Sequence, residues 1–271
     1  MVTAGEVGFV FVAGSITALA TGIGALPFFL VDDIGDRWNV VLWGLASGIM
    51  VSASVFGLLF EGVANAGGRS DYLLIVVGIG AGVVLVVLGH DVVADADIDP
   101  ETYEEADVRK LVLILGVLTV HSFPEGVAVG VSFADLNVAG PDGLPLFGAT
   151  VPVLALFMTV AISIHNVPEG VAISIPLRAM GVSEYRMVWW AVFSSLPQPI
   201  GAVIAFYFVR AAREFLPLGF GFAAGAMVYL VVTEFIPEAL DAGSSLPGGG
   251  RKELAGGTVA GFLLMVPLAV V

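Results

Sequence analysis

Long apolar runs separated by short polar links dominate the chain. About 20 consecutive apolar residues cross the hydrocarbon core of a bilayer as a helix. The runs therefore predict eight membrane spans, at about 6–30, 38–60, 72–93, 110–133, 149–177, 187–209, 216–239 and 254–271. Most links carry turn or charge signals, among them Asp32-Asp33-Ile34-Gly35-Asp36, Ala66-Gly67-Gly68-Arg69, Pro141-Asp142-Gly143 and Ser244 to Gly250. The longest, 94–109, is acidic, with Asp95, Asp97, Asp99, Glu101, Glu104, Glu105 and Asp107. No stretch reads as a soluble domain, so the chain is expected to be one transmembrane unit over 1–271. The first run is too long for the core of a signal peptide, and Glu6 but no Lys or Arg precedes it; it is read as a retained span.

Composition sharpens this picture. The chain is 58% hydrophobic and 13% charged with a mean hydropathy of +1.00, whereas soluble domains carry about 25% charged residues. A soluble enzyme of this size is excluded. The 35 glycines suit closely packed membrane helices. The absence of cysteine excludes disulfides and thiolate metal sites, so any metal must take N, O or thioether ligands. A net charge of −14 argues against nucleic acid as a partner. The acidity reads equally as a halophile's surface or as chance acidic loops. With both termini outside, the inner links hold Arg37, Arg109, Lys110, Arg178, Arg186, Arg251 and Lys252, against Arg69, Arg210 and Arg213 outside. This bias favours termini outside and the acidic loop in the cytoplasm.

Costly residues deep in the spans carry the chemistry. A carboxylate at mid-membrane costs about 2.5–3.5 kcal/mol on insertion scales, so it normally has a partner or a task. Span 4 contains His121 and Glu125 in His-Ser-Phe-Pro-Glu-Gly-Val-Ala; span 5 contains His165 and Glu169 in His-Asn-Val-Pro-Glu-Gly-Val-Ala. The two segments agree at six of eight positions. Residues i and i+4 share a helix face. Two such faces turned together offer two imidazoles and two carboxylates, a donor set suited to Zn²⁺ or Fe²⁺. Pro124 and Pro168 free the carbonyls of Val120 and Ile164, and Gly126 and Gly170 permit close helix approach. The plainer reading, two intrahelical ion pairs, is disfavoured by the duplication. Weaker signals are Gln198 between Pro197 and Pro199, Glu234 and Glu238 one turn apart in span 7, Glu61 at the end of span 2, and Met50 as a thioether. His90 and Asp91 close span 3, as an interfacial cap or a transient exit site.

These motifs resemble the ZIP family of divalent metal transporters, over the whole chain. Besides the doubled H-x-x-P-E-G, Gly44-Leu45-Ala46-Ser47-Gly48-Ile49-Met50 and Gly225-Ala226-Met227 with Glu234 and Glu238 look like the family pattern. The resemblance implies an all-α bundle of eight spans, with spans 1–3 and 6–8 as inverted repeats around spans 4 and 5, often assembled as a homodimer. It implies a mid-membrane metal site of His121, Glu125, His165 and Glu169. Many members add a second site with an Asn in span 4 and a Glu in span 6. Here Ser122 and Gln198 stand at those positions, while Asn166 is kept. A single well-formed site is therefore expected, with Ser122, Asn166 and Gln198 forming at most a weak second one. The acidic loop also departs from the His-rich loop of many members.

The implied function is transport of divalent ions toward the cytoplasm, zinc foremost and Fe, Mn, Co or Cd besides. The metal is substrate, with no cofactor expected, and the bilayer is the surroundings. No G-x-x-x-x-G-K-[ST] run suggests ATP-driven pumping. Two alternatives stay open at this point: an intramembrane metallohydrolase, although H-E-x-x-H is absent, and a non-metal carrier using the His–Glu pairs as a proton relay.

Overall fold

The computed structural model describes residues 2–31, 33–94, 121–138 and 143–269. It is mostly helical. In order come α1 (Ala4–Ile23), a 3₁₀ turn (Leu26–Phe29), α2 (Asp36–Ser52), a π-helical turn (Ala53–Leu59), α3 (Phe60–Ala64) and α4 (Arg69–Ala94). The described part of α5 covers 121–132. A hairpin of β1 (Gly143–Leu146) and β2 (Ala149–Pro152) leads into α6 (Val153–Ala179), α7 (Glu184–Ser194) and α8 (Pro197–Ala211). Then follow α9 (Leu216–Leu230), a second π turn (Val231–Phe235), α10 (Ile236–Ala242) and α11 (Arg251–Ala269). Among the described residues, six helical stretches are long and apolar enough to cross a membrane: Ala4–Phe29, Asp36–Ala64, Arg69–Asp91, Val153–Ala179, Glu184–Ala211 and Arg213–Ala242. The acidic loop and the first residues of the fourth predicted span lie outside the described residues.

Two local differences from the sequence reading have plain causes. Residues 149–152 are strand rather than the start of a helix: β2 pairs antiparallel with β1, Leu144 opposite Val151, through a turn at Phe147 (φ 49°) and Gly148 (φ 81°). Pro152 disfavours helix at Val151, and Asn137 fastens the hairpin by donating from N to the Thr150 carbonyl (2.8 Å) and accepting from the Thr150 N–H at Oδ1 (3.0 Å). The sixth predicted span is interrupted, because Ser195 and Leu196 end α7 and Pro197 opens α8.

Helices in lipid gain little from hydrophobic exclusion against one another and pack through small residues. Here glycine-mediated backbone contacts divide the bundle into three sets. In the first, Gly14 of α1 faces Pro199, Gly126 and Gly130 of α5 face Gln198 and Ala202 of α8, and Gly170 of α6 faces Thr21 of α1. In the second, Gly44 and Gly48 of α2 interlock with Gly257 and Gly261 of α11; in the third, Gly78 and Gly82 of α4 interlock with Gly221 and Gly225 of α9. The glycines that face another set meet side chains instead: Gly57 meets Phe157 and Met158, and Gly219 meets Val131.

Gly170 is the tightest of these points, since a Cβ there would lie 1.8 Å from the Thr21 carbonyl oxygen. Gly170→Ala is expected to lower stability by about 3 kcal/mol, at the upper end of overpacking costs. Gly80, with no atom near its missing Cβ, should accept Ala with unchanged or slightly raised stability. Thermal unfolding in detergent checks both.

Candidate metal site

The duplicated motif builds the buried centre. The glycine after each motif glutamate lets another helix backbone reach the carboxylate-bearing turn. Gln198 of α8 comes against Gly126, and Thr21 of α1 against Gly170. Glu125, His165 and Glu169 are thereby fully enclosed. His165 Nε2 lies 3.1 Å from Glu125 Oε1 and 3.8 Å from Glu169 Oε2. One ligand atom from each of the three falls within 4.8 Å of the others, the spacing of a metal-binding group. The Phe235 ring stacks on the His165 imidazole, centroids 5.5 Å apart at 21°. The second π turn delivers it there; such turns recur at functional sites.

The centre is rich in acceptors and poor in donors. Both Glu169 oxygens, His165 Nδ1 and Asn166 Oδ1 are buried without a hydrogen-bond partner. A buried polar group left unpaired costs about 1–3 kcal/mol, and more when charged. Two carboxylates side by side raise that cost further. A divalent cation removes both penalties together: it supplies two positive charges and takes oxygen and imidazole nitrogen as ligands.

A second group lies toward one end of the bundle, joining His90 of α4, His121 of α5 and Glu234 of the second π turn. His90 Nε2 is 2.8 Å from Glu234 Oε1 and 3.3 Å from His121 Nε2. The two imidazoles stack with centroids 5.6 Å apart. This group is partly open, His90 being 32% exposed and Glu234 17%, whereas His121 is buried. Of the four residues expected from the motif, three lie in the first group and His121 in this one.

The remaining sequence candidates fall in different places. Gln198 and Asn166 are fully buried and adjoin the centre through hydrogen bonds. Ser122 is buried on α5, and Met50 is buried within the core of α2. Asp91 and Glu238 are exposed. Glu61 is half-buried and lines a cavity of about 660 Å³ at the other end of the bundle, with Asn65, Ser132 and Asp135. Sequence reasoning missed the Thr17 carbonyl, which accepts from Asn166 at 2.7 Å; a backbone acceptor leaves no residue-type signal.

Comparison with known proteins agrees with this chemistry. A family profile described as ZIP zinc transporter matches residues 90–269. The zinc transporter GufA of Myxococcus xanthus is 32% identical over 95% of the chain and 96% of its own length. The zinc transporter ZIPB of Bordetella bronchiseptica is 34% identical over 96% and 80%. A putative zinc transporter of Arabidopsis thaliana is 39% identical over 82% of the chain, which spans only 33% of that larger protein.

Proposed function

The chain belongs to the ZIP zinc transporter family and is a multi-pass membrane protein, and from that premise we propose that it carries divalent transition-metal ions, zinc foremost, toward the cytoplasm. Membership of a transporter family sets aside the metallohydrolase alternative. The observation that carries the reading is Glu169, a fully enclosed carboxylate with no donor on either oxygen. A cation site needs open acceptors of this kind.

In this reading eight spans cross the bilayer with both termini outside. Spans 1–3 and 6–8 form inverted repeats, the 94–109 loop is cytoplasmic, and the assembly is a homodimer. An ion enters from the cavity bearing Glu61 and Asp135, sheds water against Glu125 and Glu169, and is held with His165. It then passes to His121, His90 and Glu234, and leaves on that open side. The division of glycine contacts supports the motion required. The set α1–α5–α6–α8 is tied backbone to backbone, while the glycines that face it from the other sets, Gly57 and Gly219, meet side chains. Shifting one set against the others would open the site to alternate sides, a common membrane solution.

Ligand binding stabilises the state that binds, by about 2.7 kcal/mol at a hundredfold excess over Kd. Zinc, but not magnesium, is therefore expected to raise the melting temperature of the purified chain. The rise should shrink as pH falls, because protons compete with the metal for imidazole and carboxylate ligands. A zinc-independent melting temperature would contradict the proposal.

A further inference from the structure

We infer that the amide chain Thr17–Asn166–Gln198 is a positioning device that occupies the second oxygen of Glu125, so that the buried centre holds one divalent ion and not two. The inference rests on the metal-site reading above and adds the role of three groups to it. Asn166 Nδ2 donates to the Thr17 carbonyl at 2.7 Å and to Gln198 Oε1 at 3.1 Å. Gln198 Nε2 donates to Glu125 Oε2 at 2.5 Å. All three side chains are fully buried.

The direction of this chain is set at its far end. A backbone carbonyl only accepts, so Asn166 must turn its NH₂ toward Thr17. Its second N–H then meets Gln198, which must answer with its carbonyl oxygen. That leaves the NH₂ of Gln198 as the only part facing Glu125. The reverse orientation would set NH₂ against NH₂ at Asn166 and carbonyl oxygen against carboxylate at Glu125. The Thr17 hydroxyl offers no escape, since it donates to the Gly14 carbonyl at 2.8 Å.

Two consequences follow for the ion. An amide N–H cannot ligate a cation, so the space between Gln198 and Glu125 Oε2 repels a second one. With Oε2 taken, Glu125 presents Oε1, the oxygen that faces His165 at 3.1 Å, in one fixed orientation. The device spans α1, α6, α8 and α5, all within one glycine-tied set, so it travels with the ion rather than being broken by movement between sets.

The test counts zinc on the purified full chain after equilibrium dialysis. Each count is compared with that of the same chain carrying His165→Ala and Glu169→Ala, which subtracts the ions held elsewhere. The expected difference is one ion for the natural sequence and two for Gln198→Glu, where a carboxylate replaces the donor. Gln198→Met keeps length and burial but cannot donate. It should keep a difference of one, with zinc affinity weakened roughly tenfold and a lower metal-free melting temperature, because the Asn166 N–H and Glu125 Oε2 lose their partner. A difference of two in the natural sequence, no gain in a folded Gln198→Glu, or unchanged affinity in Gln198→Met would overturn the inference and leave the metal site standing. A difference of zero in the natural sequence would overturn both. Should Gln198→Glu fail to fold, the affinity of Gln198→Met decides alone.

Discussion

Zinc uptake by proteoliposomes bearing Glu169→Leu is expected to fall to the background of empty vesicles, while the metal-free protein becomes harder to unfold. The two halves have one cause. Glu169 is enclosed on every side, and neither oxygen receives a hydrogen bond. Its nearest charged neighbours include Glu125, bridged through His165 Nε2 at 3.1 and 3.8 Å. Without an ion the carboxylate is a liability of about 1–3 kcal/mol. Leucine, of similar volume and apolar, removes that liability, as apolar replacements of buried charges commonly do. With an ion, Glu169 supplies one of the two negative charges that neutralise it where the bilayer supplies none. A residue kept for packing would behave oppositely, with stability falling and transport following it. Thermal unfolding without metal, run beside the uptake assay, separates the two.

The second large effect belongs to the partly open group. Glu234→Gln and His90→Ala are each expected to reduce maximal uptake while leaving zinc binding at the enclosed centre intact. His90 sits between its partners, 2.8 Å from Glu234 and 3.3 Å from His121, so losing it leaves the other two without a bridging ligand. The fall should be at least the roughly 10- to 100-fold that removing an outer-shell partner costs a metal site. Apparent KM for zinc should change little, because the first capture occurs elsewhere. Equal losses in binding at both groups would instead mean that His90, His121 and Glu234 only brace the enclosed site.

Six of the predicted spans and the doubled motif were legible because each leaves a linear signature: an apolar run of membrane length, and His and Glu one helical turn apart beside Pro and Gly. The grouping of Glu125 with His165 and Glu169 follows from facing two such turns. The closeness of His121 to His90 and Glu234 was not legible, because it depends on the register between α4, α5 and the π turn at Val231–Phe235. No Gly or Pro lies within that turn; Pro237 comes only after it. The hairpin was hidden for another reason. Leu144-Pro145-Leu146-Phe147 and Ala149-Thr150-Val151 are as apolar as the span they precede, and the signal that could have exposed them is Phe147-Gly148 set between two short apolar runs bounded by Gly143 and Pro152. Gln198 showed itself as a buried polar residue between prolines. Its donation to Glu125 was not legible, because the direction of the amide chain is set at the Thr17 carbonyl.

Zinc influx into proteoliposomes, measured for the natural sequence beside a chain carrying both His165→Ala and Glu169→Ala, tests the central claim most directly. The account predicts saturable uptake by the first and none above empty vesicles by the second, with both chains folded and inserted. Uptake by the double variant at the rate of the natural sequence would show that the ion does not pass through the Glu125, His165 and Glu169 centre, and would contradict the account.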